Sequence, residues 1–236
     1  PNNVGVGKDA LGANTTGTNN VAVGAFSLDA NTTADSNTAL GYASMTANTT
    51  GAHNTSVGKS SMSANTEGLE NVAVGSNALA TNTTGSYNTA LGQKALLTNT
   101  TASWNTSVGY ESLKVNTTGF QNVAVGGFVL DANTDGYKNT GVGYATLTNL
   151  TTGDENTAVG HNAVSSATTP SYLVGVGRSA LAANTTGALN TAVGSFALDA
   201  NTTASANTAF GYNAGGGNTT GGNITCLGYA AGGPQS

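Results

Sequence analysis

The stretch NVAVGSNALATNTTGSY (71–87) is followed without a break by NTALGQKALLTNTTASW (88–104), and the two can be laid on each other residue for residue. Counted from the glycine that both share, Gly75 and Gly92, the same frame runs outward in both directions, from Gly7 to Gly228, at an unvarying interval of 17 residues. A period of this length held over fourteen units marks a stacked repeat protein, in which each unit is one supersecondary turn resting on the next.

With that glycine as position 0, asparagine fills position −4 in twelve of fourteen units, the exceptions being Leu173 and Ile224. Position −2 is always small, position −1 is always Val, Leu or Phe, and position +8 is threonine in the first thirteen units. The segment from −4 to −1 alternates with period two, so −3 and −1 share one face of a short strand. We expect that strand to be half buried, with −1 packing against the Leu at +4 of its own coil. Asn at +7 and Gly at +10 lie in a turn-forming stretch, where Gly suits a left-handed backbone. Ala34, Ala102, Ala204 and Pro170 at +10 sit poorly with that expectation, since Ala avoids a positive φ and Pro forbids it. Rows of like residues 17 apart should form ladders, the asparagines at −4 and +7 bonding from coil to coil. With 34 glycines and no apolar period of 3.6, helix is disfavoured. The expected fold is an all-β solenoid or β-roll of fourteen 17-residue coils, a single repeat array over 1–236 with atypical coils near 150–172 and 213–236. At one strand spacing per coil it would be roughly 65 Å long.

Composition narrows the function. Ile, Leu, Val and Phe make up about a sixth of the residues, and 7% of residues are charged, with a net charge of −5. Each coil offers about two large apolar side chains, a slender core that chains packed around a shared axis would reinforce, so a parallel homotrimer is expected. The six basic residues (Lys8, Lys59, Lys94, Lys114, Lys138 and Arg178) are scattered, which argues against nucleic acid as partner. No apolar run is long enough to insert directly in a membrane.

Catalytic chemistry finds little footing. His53 and His161 stand in different rows six coils apart, and no carboxylate pair recurs at neighbouring positions. Asp29, Asp131 and Asp199 share row +5 without the glycine pattern of a calcium-binding roll, and read as solvated surface carboxylates. Cys226 stands at the small −2 position and reads as a buried small residue. The chain is therefore expected to be non-catalytic, with no cofactor and no metal. The variable rows +1, +2, +11 and +12 hold most of the aromatics. Tyr87, Trp104, Phe120 and Tyr137 fall at +11 or +12 of four consecutive coils, and are the candidate ligand contacts.

The units at 37–51 (NTALGYASMTANTTG) and 207–214 (NTAFGYNA) resemble repeats of phage tail-fibre and bacterial fibre proteins, and are similar to the head repeats of YadA-type trimeric autotransporter adhesins. The resemblance implies a trimeric β-roll on the outside of a cell or virion. The function it implies is a structural and attachment module of an extracellular or virion fibre, meeting a cell-surface glycan or protein receptor. Regular threonine ladders leave a second reading, an ice-binding β-solenoid.

Overall fold

The computed structural model describes residues 2–233. Among them every regular element is a three-residue strand and none is a helix. Two compact units divide the chain, residues 1–120 and 121–236. The first holds β1 (Val4–Val6), β2 (Val21–Val23), β3 (Thr38–Leu40), β4 (Thr55–Val57), β5 (Val72–Val74), β6 (Thr89–Leu91) and β7 (Thr106–Val108). The second holds β8 (Val123–Val125), β9 (Thr140–Val142), β10 (Thr157–Val159), β11 (Val174–Val176), β12 (Thr191–Val193), β13 (Thr208–Phe210) and β14 (Thr225–Leu227). Within each unit successive strands pair in parallel, and each residue faces the one 17 later, as in Val72↔Thr89 and Thr191↔Thr208. The fold is a parallel β-solenoid with one strand per coil.

The strand faces are the reverse of the expected ones. Residues −3 and −1 do share a face, but it is the outer one: the −2 residues Ala22, Ala73, Ala90, Ala124 and Ala192 are fully buried, while Val23, Val74 and Val159 are exposed. The Leu at +4 (Leu28, Leu79, Leu96, Leu130, Leu181) is fully buried too. The −2 residue lies against it, since a Cβ added to Gly5 would sit 3.8 Å from Leu11 Cδ1, while the −1 residue faces away. Opposite a fully buried Leu at +4 the strand has room only for a small residue at −2, so the larger −3 and −1 residues turn outward. The chain exposes 9267 Å², close to the ~9,600 Å² expected of a folded monomer of 23.0 kDa. The coils thus bury the usual share of surface unaided, and a shortage of core is no argument for association.

Both asparagine ladders form. At +7, Asn31 Nδ2 donates to Asn14 Oδ1 at 2.8 Å and Asn82 Nδ2 to Asn65 Oδ1 at 2.8 Å, while each Nδ2 also donates to the +10 carbonyl of its own turn. At −4, Oδ1 accepts the backbone N–H of the next coil, as from Asn37 to Asn20 at 2.9 Å, and Nδ2 crosses the coil to the +10 carbonyl. The buried amides of these pairs thereby find their partners within the core, where an unbonded amide would be costly. In the second unit the +7 ladder is interrupted by Leu150 and Ala167 and the −4 ladder by Leu173, all fully buried. Coils 150–172 keep the register despite these changes. Of the other atypical stretch, residues 234–236 lie outside the described residues.

Row +10 is not left-handed. Among the described residues only the position-0 glycines, with φ from 116° to 144°, and rows +2, +4 and +12 take positive φ. Ala34 and Pro170 therefore fit without backbone strain at +10, and glycine serves there for closeness: a Cβ on Gly136 would sit 2.5 Å from the carbonyl oxygen of Gly153 and from Asn133 Oδ1. Leu28 (φ 49°), Phe26 (φ 60°) and Ser36 (φ 60°) are the left-handed residues of one coil. Each costs conformational energy that an intercoil hydrogen bond offsets, from the N–H of Leu28 to Ser44, of Phe26 to Lys8 and of Ser36 to Thr18.

Candidate functional site

The left-handed turns at +12 and +2 bracket the strand and set the variable side chains along its two rims. On the +11/+12 rim of the first unit, Tyr87 and Trp104 occupy the same row of consecutive coils, and their rings stack at 4.1 Å between centroids and 10° between planes. Both are exposed, Trp104 at 58%, and Leu69 and Phe120 on row +11 are exposed as well. Tyr137 belongs to the second unit and is half buried. Its N–H donates to Asp154 Oδ1 at 3.0 Å, Lys138 Nζ lies 5.5 Å from its ring centre, and the Asp154 charge pushes its phenol pKa up. Of the four sequence candidates, then, Tyr87 and Trp104 form one stacked pair. Each ring covers a face of the other, leaving edges and outer faces for a ligand. Sequence reasoning passed over Tyr172 and Leu189, exposed at +12 in the second unit, although a count of that row alone would have found them.

The +1/+2 rim carries the other rings. Phe26 meets Tyr42 edge to face at 5.9 Å, and Lys8 Nζ lies 5.2 Å over Phe26. In the second unit the edge-to-face pairs are Phe128 with Tyr144 and Phe196 with Tyr212, while His161 stacks on Tyr144 and Tyr229 on Tyr212.

The charged groups serve the stack. Glu111, nearly buried, bonds Lys94 of the preceding coil at 3.1 Å and Lys114 of its own coil at 3.0 Å. The hydrogen bond from Lys114, and after it that from Lys94, hold its carboxyl down at about 2. The row +5 carboxylates are not simply solvated: Asp29 and Asp131 accept the hydroxyls of Thr46 and Thr148 one coil on, and partial burial pushes Asp199 up. The +8 threonines spend their hydroxyls on the next coil's carbonyl, as from Thr83 to Thr100 at 3.0 Å and Thr185 to Thr202 at 3.1 Å, while Thr33, Thr84 and Thr186 at +9 are exposed. Cys226 is buried at −2, as expected. Among the described residues no group of three or more His, Cys, Asp or Glu is arranged to hold a metal, and no helix is long and apolar enough to cross a membrane. No family model, no curated protein sequence and no solved structure matches this chain.

Proposed function

We propose that the chain is a non-catalytic structural and attachment module of an extracellular or virion fibre, assembled as a parallel homotrimer. One observation carries this reading: each strand turns its large −1 residue outward, so the sheet of each unit presents a continuous Val, Leu or Phe row to solvent, flanked by the Thr or Val of row −3. A lone structural coil has no use for an apolar outer row, and selection against exposed apolar patches would replace it with charge. The occupant that fits is a second and third copy of the same row, whose 17-residue register matches its own coil for coil. Attachment is assigned to the exposed rims, with Tyr87 and Trp104 as the ring pair that meets a cell-surface glycan or protein receptor.

The test separates assembly from attachment. The fluorescently labelled chain should bind a susceptible cell surface, and replacing Tyr87 and Trp104 together by serine should abolish binding while leaving the assembled mass unchanged. Loss of assembly in that double variant would make the ring pair structural.

A further inference from the structure

We propose that the +1/+2 rim of the second unit is a binding track for a saccharide bearing carboxylates, of the uronic-acid type; this rests on the attachment reading and names a ligand class and a site for it. The chain as a whole is acidic, with 11 carboxylates against 6 Lys and Arg, yet no Asp or Glu occurs on row +1 or row +2 of this unit. What occurs there is a ladder of rings interrupted by one guanidinium: Phe128, Tyr144, His161, Arg178, Phe196 and Tyr212 follow one another, one per coil. Phe128 meets Tyr144 at 5.8 Å and Tyr144 stacks on His161 at 5.6 Å. The Arg178 guanidinium lies 5.4 Å over Phe196, which meets Tyr212 at 5.9 Å.

Three properties of the track choose the ligand. Its rings are accessible, with Tyr144 51% and Tyr212 49% exposed, and sugar C–H faces pack on such rings. Arg178 is exposed, and among the described residues it forms no ion pair, whereas Lys138 of the same unit is paired with Glu155. A guanidinium that donates two parallel N–H bonds to a carboxylate is the strongest anion-recognition group a side chain offers. Lastly, Arg178 sits two coils from Tyr144 and two coils from Tyr212, about 10 Å each way, so a ring lies on either side of the charge. An extended oligosaccharide of four or five units spans that distance with its acidic group at the centre. A neutral glycan would leave the guanidinium unused, and no Asp or Glu on either row opposes a carboxylate placed beside it.

The experiment is a calorimetric titration of the intact chain with tetragalacturonate, and with its methyl ester, which has the same sugars and no charge. Saturable binding is expected, weaker for the ester by about tenfold or more. Arg178→Gln should weaken tetragalacturonate binding by a similar factor, Arg178→Lys should restore part of it, Tyr144→Ser should weaken both ligands, and Thr186→Ala on row +9 should change nothing. Absence of saturable binding, equal affinity for the ester, or full affinity in Arg178→Gln would overturn the proposal. Cell attachment by the labelled chain is measured alongside: attachment that persists without tetragalacturonate binding refutes this track alone, and loss of both refutes the attachment reading as well.

Discussion

At the scale of the residue, the coil is held by a few side chains that no neighbour could replace. Leu96 is the one large apolar group inside its turn, fully buried at a left-handed φ of 50°. Leu96→Ala should lower stability by about 2–5 kcal/mol in chemical denaturation, since the surrounding ladders cannot collapse into the cavity. Gly75 is fixed twice over, by its φ of 135° and by the Gly92 carbonyl oxygen 2.5 Å from any added Cβ. Glu111 gives the first unit an acid-sensitive clamp. Its folded pKa, about 2 against an ordinary 4.5, is depressed, so its contribution to stability is complete above about pH 4.5 and is lost as pH falls toward 2. Denaturant midpoints measured from pH 6 down to pH 2 should fall less steeply in Glu111→Gln than in the native chain; equal slopes would remove the clamp from the account. The position-0 glycine and the asparagine rows were legible in the sequence because their side-chain chemistry is itself the constraint. The left-handed rows +2 and +12 were not, for they hold Phe, Lys, Ser and Trp without preference. Their conformation is imposed by the intercoil bonds of their backbone, which leave no mark on residue type.

At the scale of the element, period two read the strand correctly and its orientation wrongly. Large residues at −1 and small ones at −2 look like a buried row and an exposed row when size is taken as the measure of burial. In a coil 17 residues round, volume decides instead: the Leu at +4 lies opposite the strand, which contributes only Ala, Ser, Gly or Cys226 there. The pair Ala124 and Val125 separates the two orientations. Ala124→Asp should destabilise the isolated unit by several kcal/mol, because an unpaired charge enters a dry core. Val125→Asp should leave the thermal midpoint of the unassociated chain nearly unchanged and act on assembly. The reverse order of effects would restore the inward −1 row. The candidate rings were legible as rows, since spacing fixes which residues stack. That Tyr87 and Trp104 cover one another's faces, while Tyr137 is tied to Asp154, depends on rotamers and on charges a coil away.

At the scale of the whole molecule, the surface argues for partners more clearly than the core does. Burial is ordinary for the mass, the asparagine ladders bond from coil to coil, and what is left over is an apolar row facing outward in each unit. Three copies that share those rows would shield them from water and leave both rims free for a receptor. The most direct test is the mass of the purified chain in solution by light scattering. The expected mass is three times 23.0 kDa, falling to a single folded chain when aspartate replaces Val125 and Val142. A native chain that stays folded at 23.0 kDa at all concentrations would contradict it.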